Sequence, residues 1–139
     1  MSEMTAEQVA RRYNELYNDG TPDSYGSDRF LELYAENVVA IDYPMPLSPE
    51  GRRDEGLAAV RKGLEEAQAL LRNRKTHLHE VLAQGDRVVM RFTWEATVAV
   101  DGMPVPKGTV VRMECVQFFT VANGKITRDE SYSALLPPA

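Results

Sequence analysis

The hydrophobic period of this sequence changes about halfway along the chain. Up to about residue 71 most apolar side chains recur at helical spacing, whereas from Thr76 onward they alternate with polar ones. A period of three to four residues is typical of amphipathic helices, and alternation is typical of strands with one buried face. Helices followed by strands favour an α+β domain, with the helices on one face of a curved sheet.

Three helices are predicted in the first half of the sequence. Thr5 and the glutamine three residues later have the spacing of a capping box, and the glycine and proline of segment 18–22 would end that first helix. A short second helix is predicted from Ser27. The third is predicted over 57–71, with a buried apolar face, and it would end at the basic segment 72–75, where cations suit the helix dipole.

Strands are predicted on both sides of the third helix. The β-branched run 38–43 is predicted to be an early strand, and the proline-containing segment 44–56 is predicted to be a loop that covers a pocket. Two hairpin turns follow, at Gly85-Asp86 and at Asn123-Gly124, and the second carries the strongest short-range hairpin signal. These turns separate four predicted strands, at 76–83, 87–100, 108–121 and 125–133.

Composition excludes several classes of partner. The 139 residues include 16 basic and 21 acidic side chains, a net charge of −5, and the basic clusters 52–53 and 72–75 are interpreted as solvated helix ends. Nucleic acid is therefore not expected to bind. The single Cys115 excludes an intrachain disulfide and a multi-cysteine zinc site. With no apolar run of membrane-spanning length and no signal-peptide pattern, we expect a soluble, cytoplasmic protein without a membrane partner.

Four segments, in this order, resemble the nuclear transport factor 2-like superfamily. They cover most of the chain and are 33–38 (LYAENV), 56–60 (GLAAV), 85–88 (GDRV) and 119–126 (FTVANGKI). Within the superfamily, the chain resembles SnoaL-like polyketide cyclases, ketosteroid isomerases and limonene-epoxide hydrolases. Because this fold hosts many chemistries, the resemblance is more specific for fold than for activity.

The resemblance implies a fold, an assembly and a class of ligand. The fold is a single domain over residues 1–139: a cystatin-like cone of three N-terminal helices on a strongly curved, mixed but mainly antiparallel sheet that encloses a pocket. The assembly is a homodimer formed through the sheet. The ligand or substrate is a hydrophobic small molecule, and no cofactor is implied.

Two residues are the candidate catalytic pair. Asp42 ends the apolar run VVAI, and it matches the general base of the ketosteroid isomerases. Tyr13, in an Arg-Tyr context on the first helix, matches their oxyanion donor. A carboxylate in an apolar pocket gains proton affinity, and a phenol can stabilise an enolate oxygen, an arrangement for which the isomerase is a known example. The alternative is that Asp42 caps the following loop and that Tyr13 belongs to the core.

Eight further residues are the candidate substrate-binding set, chosen because most of them lie on the inward faces of the predicted strands. At the position of the isomerase's second acid stands Cys115, while Glu114 would face inward if the register slipped by one residue. Asp129 could substitute for the acid of the SnoaL-like cyclases, although a solvated role is the simpler interpretation. The set comprises Tyr43, Phe92, Trp94, Met113, Cys115, Phe119, Asp129 and Ser131.

Several functions stay open at this stage. The first is isomerase- or cyclase-type proton transfer on a hydrophobic carbonyl compound, as in a ketosteroid isomerase-like isomerase or a polyketide cyclase-like lyase. The second is a non-catalytic ligand-binding or dimeric scaffold protein. The third is a dehydratase or epoxide-hydrolase-like variant that uses His77 or Asp129. His77 and His79 share a strand face, but no third ligand completes a metal site.

Overall fold

Three helices and six strands make up the part of the chain that the structure, a computed structural model, describes: residues 3–19 and 27–137. The helices are α1 (Ala6–Tyr17), α2 (Asp28–Leu31) and α3 (Leu57–Leu70). The strands are β1 (Tyr34–Asp42), β2 (Arg52–Glu55), β3 (Leu71–Gln84), β4 (Arg87–Val98), β5 (Val110–Ala122) and β6 (Lys125–Leu135). The predicted α+β class is confirmed.

The six strands form one curved, unclosed sheet in the order β2-β1-β6-β5-β4-β3. Strands β3 to β6 form an antiparallel meander, and β2 is antiparallel to β1. The pairing of β1 with β6 is parallel, which makes the sheet mixed. The prediction of helices packed on a mixed, mainly antiparallel sheet is therefore confirmed, and the cone of that prediction is consistent with this architecture.

Local signals predicted the helix starts and the turns well. The side chain of Thr5 accepts from the Gln8 amide while the Gln8 side chain accepts from Thr5 N–H, so the capping box is present. The short second helix predicted from Ser27 begins at Asp28, and Ser27 is its N-cap. Asn123 and Gly124 adopt positive φ angles of 53° and 72°, which suit the tight turn between β5 and β6. The predicted end of the first helix falls partly on residues 20–22, which lie outside the described residues.

Two charged segments were assigned wrongly. Strand β2 lies inside the predicted loop 44–56, because its four charged residues carry no hydrophobic alternation and gain strand structure only by pairing with β1. The segment 72–75 belongs to β3 rather than to the end of α3, which stops at Leu70. Arg74 donates a hydrogen bond to the carbonyl oxygen of Ala67, so it caps the helix from the following strand.

The core fills the space between the inner face of the sheet and helices α1 and α2. Its largest fully buried side chains include Phe30, Phe119, Met90 and Ile126. Helix α3 is different: only Val60 is buried, although a buried apolar face was predicted for it. Leu57 and Leu64 are partly buried against the core, and Leu64, Ala67 and Leu70 line an open space. No helix in the described ranges is long and apolar enough to cross a membrane.

Candidate active site

A cavity of about 350 Å³ lies between the inner face of the sheet and helices α1 and α3. Volumes of this size are typical of small-molecule sites. Aromatic and sulfur-containing side chains line much of it, and polar side chains gather toward the β1–β6 side of the sheet. The apolar part of the wall includes Phe92, Trp94, Met113, Leu64 and Val60.

Strand register brings the polar residues together. Asp42 on β1 lies opposite Ser131 on β6, and Ser131 lies opposite Gln117 on β5. Two residues earlier on each strand, Ala40 lies opposite Asp129. Paired residues in a sheet project to the same face, so these side chains converge on the cavity. The parallel β1–β6 pairing thus joins two carboxyl groups that are far apart in the sequence.

Asp42 lines the cavity and stays accessible from it. The residue as a whole is exposed, but neighbouring protein atoms displace water from its carboxyl group, and this partial desolvation raises the pKa of Asp42. Asp54 raises the pKa further, whereas Arg52 and a hydrogen bond from Ser131 lower it. Asp42 therefore has a higher affinity for a proton than an aspartate ordinarily has.

Asp129 is the buried member of the carboxyl pair. It is only 7% exposed, and burial raises its pKa to about 7. Gln117 Nε2 donates to Asp129 Oδ1 at 2.8 Å, which stabilises the ionised form, while the nearby Asp42 disfavours it. At neutral pH Asp129 is therefore divided between its protonated and ionised forms. The solvated role considered for Asp129 is wrong, because its side chain is buried in the cavity wall.

Tyr13, on α1, lies next to the polar side chains of Gln117 and Asp129. Its ring packs against Phe30 and Phe119, with centroid distances of 4.9 and 5.0 Å. Gln117 Nε2 lies 3.4 Å from the Tyr13 hydroxyl, so one amide contacts both Tyr13 and Asp129. Tyr13 and Asp42 both line the cavity, as the candidate pair requires.

A second polar group lies elsewhere in the wall. Trp94 Nε1 donates to the Tyr17 hydroxyl at 2.7 Å, and Arg74 also interacts with that hydroxyl. Burial raises the pKa of Tyr17, so it is a neutral phenol at physiological pH. This group gives the far wall of the cavity hydrogen-bonding capacity without a carboxyl group.

Cys115 faces the cavity, and Glu114 does not. The Cys115 thiol lies 3.3 Å from Ser133 Oγ, and burial raises its pKa to about 11, which keeps it neutral. Glu114 points to the outer face of the sheet, where it accepts hydrogen bonds from Thr93 and Arg91. The register slip that would bring Glu114 inside does not occur.

Two candidate binding residues have other surroundings. Phe119 is fully buried in the core and is not in the cavity wall. Tyr43 borders the cavity, but its ring stacks on Tyr132 at 4.4 Å and its hydroxyl lies 3.4 Å from Glu130. The remaining six candidates all line the cavity: Phe92, Trp94, Met113, Cys115, Asp129 and Ser131.

His77 and His79 lie outside the cavity. His77 Nε2 is 3.4 Å from Glu95, and His79 Nε2 is 2.6 Å from the Thr93 hydroxyl, on the outer face of the sheet. The described residues contain no group of three or more His, Cys, Asp or Glu side chains that could hold a metal ion. A dehydratase mechanism based on His77 therefore lacks a route from this side chain to the cavity.

Sequence patterns did not identify several polar residues of the cavity, and three of them lie close to the carboxyl pair. Gln117 was placed on the inner face of a strand but given no role, and Asp54 was assigned to a loop. Arg52 was interpreted as part of a solvated helix end, but its side chain lines the cavity beside Asp42. The sequence carried one signal for the position of Arg52 and Asp54, the glycine at position 63 within the predicted third helix. The absence of a side chain there lets Arg52 and Asp54 approach the helix closely.

A family comparison agrees with this architecture. Residues 10–129 match the model of the SnoaL-like domain. The chain belongs to the SnoaL-like domain family. The predicted resemblance is thereby confirmed. Comparison of the sequence with curated proteins finds no match.

Solved structures share the fold of this SnoaL-like domain. A nuclear transport factor 2-like protein from Burkholderia thailandensis has a TM-score of 0.72 at 12% identity, over 94% of this chain and 91% of that one. A candidate polyketide cyclase from Pseudomonas putida has a TM-score of 0.69 at 24% identity, over 93% and 91%. A protein with a ketosteroid isomerase-like fold from Catenulispora acidiphila, solved with trimethylamine, has a TM-score of 0.69 at 16% identity, over 93% and 86%.

Proposed function

We propose that this SnoaL-like domain catalyses proton transfer on a hydrophobic carbonyl compound, without a cofactor, and that Asp42 is the general base. The observation that carries the proposal is the carboxyl pair: Asp42 and Asp129 share one apolar cavity, and burial raises the pKa of both. Two interacting carboxyl groups in such a site take different protonation states, and one can accept a proton while the other donates a hydrogen bond.

The two carboxyl groups differ in the way that the chemistry requires. Asp42 is accessible from the cavity, so its ionised form can remove a proton from the carbon next to a carbonyl group. Negative charge then develops on the carbonyl oxygen. The protonated form of Asp129 can donate a hydrogen bond to that oxygen, and the hydroxyl of Tyr13 is a second candidate donor.

Either of two outcomes can follow from the enolate. Return of the proton from Asp42 to a different carbon of a conjugated enolate gives an isomer, with no net change in composition. Attack of the enolate carbon on a second carbonyl group of the same molecule gives a ring and an alkoxide, and the alkoxide takes the proton held by Asp42, as in an aldol-type cyclisation. The family membership and the Pseudomonas putida relative support the cyclase outcome over other carbonyl chemistry.

Proton exchange tests the base without knowledge of the natural substrate. The probe is 2-tetralone, a neutral bicyclic ketone, and NMR follows the loss of its α-protons to deuterium oxide. We expect the protein to accelerate this exchange and Asp42→Asn to abolish the acceleration, because an amide cannot accept the proton. The matched control is Asp101→Asn, which changes an exposed aspartate in the turn between β4 and β5.

The result also separates the proposal from its alternatives. Binding of 2-tetralone without faster exchange, in both the wild type and Asp42→Asn, would support a non-catalytic ligand-binding protein. Exchange that survives in Asp42→Asn but is lost in Asp129→Asn would assign the base to Asp129. Unchanged melting temperatures would show that a loss of exchange does not come from unfolding.

A further inference from the structure

An ion-pair cluster joins strand β2 to helix α3 beside the carboxyl pair. Arg52 Nε donates to Asp54 Oδ2 at 2.8 Å, and Arg52 Nη1 donates to Glu66 Oε2 at 2.8 Å. Two carboxylates therefore fix the plane of the guanidinium group, and all three side chains line the cavity. The side chains of Arg52 and Asp54 are 38% and 18% exposed, so water screens the attraction between their charges only in part.

The pairing of β1 with β2 places this ion-pair cluster next to Asp42, the proposed base. Arg52 lies directly opposite Asp42 in the antiparallel pairing of β1 with β2, and Asp54 lies opposite Ala40. Helix α3 makes room for the pair with a glycine: a Cβ atom on Gly63 would lie 3.0 Å from Asp54 Oδ2 and 3.1 Å from Arg52 Nη2. Glycine destabilises a helix interior relative to alanine, so its presence here suits the close approach of the pair.

Arg52 and Asp54 act on Asp42 in opposite directions. The positive charge of Arg52 stabilises the Asp42 carboxylate, and the negative charge of Asp54 destabilises it. We propose that Arg52 and Asp54 are positioning residues for Asp42, an ion pair whose two opposed charges set the pH at which the proposed base becomes ionised. The inference rests on the proposed function for its catalytic meaning, but the ionisation of Asp42 can be measured without any reaction.

Asp42 faces other ionisable groups from the elements around it. Asp129 approaches from β6 and Cys115 from β5, and both sense the charge of Asp42. Glu66 on α3 reaches Asp42 only through Arg52, which it holds in place. The thiol of Cys115 is neutral, and Asp129 is the protonated member of the carboxyl pair, so Arg52 supplies the positive charge that acts on Asp42 and Asp54 supplies the negative charge.

Carbon-13 NMR of aspartate-labelled protein tests the inference. The carboxyl carbon of Asp42, assigned from the signal lost in Asp42→Asn, is followed through a pH titration. In Arg52→Gln we expect the titration midpoint to move to higher pH, because the stabilising cation is lost. In Asp54→Asn we expect it to move to lower pH, because the repelling carboxylate is lost. Both variants break the same ion pair, so a purely structural role would not give shifts of opposite sign.

The adjacent residues of β2 provide matched controls. Arg53 and Glu55 form an ion pair of the same kind at 2.9 Å, and neither side chain lines the cavity. Arg53→Gln and Glu55→Gln should leave the midpoint of Asp42 unchanged. Shifts of the same sign in Arg52→Gln and Asp54→Asn, or no shift in either, would overturn the inference. Opposite shifts without any proton exchange would instead retain it and refute the proposed function.

Discussion

At the scale of single residues, Asp129 carries a large electrostatic cost in the cavity wall. Its ionised form is buried and close to Asp42, and hydrogen bonds from Gln117 and Ser131 offset that cost only in part, so the folded state holds a proton on it up to a pH of about 7. An unfolded chain releases that proton near pH 3.8. Between these values the folded state binds more protons, so the contribution of Asp129 to stability falls as the pH rises.

Asp129→Asn should therefore become more stable relative to the wild type as the pH rises from 5 to 8. Between pH 5 and the folded-state pKa of about 7 the change is at most about 3 kcal/mol, since one pKa unit is worth about 1.4 kcal/mol. Urea denaturation at both pH values measures the difference. An advantage of the variant that does not grow with pH would contradict the raised pKa of Asp129.

Individual residues also show how far sequence patterns reach. Alternation correctly placed Cys115 inside and Glu114 outside, since side-chain direction follows from strand period alone. The role of Gln117 could not be predicted in this way. Its amide acts by contacting Tyr13 and Asp129, and those contacts exist only after α1, β5 and β6 have packed together.

At the scale of elements, β2 and α3 mark the limit of prediction from periodicity. The β3–β6 meander could be predicted because its strands alternate and its turns have a strong signature. Strand β2 has no apolar residue, so its structure depends on β1 and on the ion pairs of Arg52. Helix α3 was predicted within a residue of its end, but its apolar face borders a cavity rather than a core.

Gly63→Ala tests the contact between α3 and β2. Alanine should stabilise a helix interior by about 1 kcal/mol relative to glycine, but here its Cβ atom would press on Asp54 and Arg52. We expect the net gain in the free energy of unfolding to be smaller than that, or negative. In a background where Arg52 and Asp54 are both alanine, the full gain should return. An equal gain in both backgrounds would show that the ion pair does not limit the packing of α3.

At the scale of the whole molecule, the outer face of the sheet carries an apolar patch. Leu82, Val89 and Phe118 lie side by side across three strands, and Tyr132 packs edge-on against Phe118. Leu82 is 59% exposed and Tyr132 is 44% exposed. Contiguous exposed apolar surface of this kind marks interaction sites, and it supports the proposal of a homodimer formed through the sheet.

Sedimentation measures this assembly directly. We expect the wild type to sediment at twice its chain mass of 15.6 kDa, and Leu82→Glu to shift it toward the monomer, because two like charges would meet in a twofold interface. Val110→Glu changes an equally exposed residue at the other end of the sheet and should not have this effect. A wild type that sediments as a monomer across the micromolar range would refute the homodimer.

The parallel pairing of β1 with β6 also determines the order in which the molecule can assemble. Strands β3 to β6 pair through local hairpins, whereas β1 must dock on a strand far along the chain: Tyr43 and Glu130, which meet there, are 87 residues apart. Such distant closure is slow, because its entropic cost precedes the contacts that offset it. We therefore expect Asp42 and Asp129 to come together late in folding. A fluctuation of the folded protein that detaches β1 from β6 would separate them, while strands β3 to β6 stay paired.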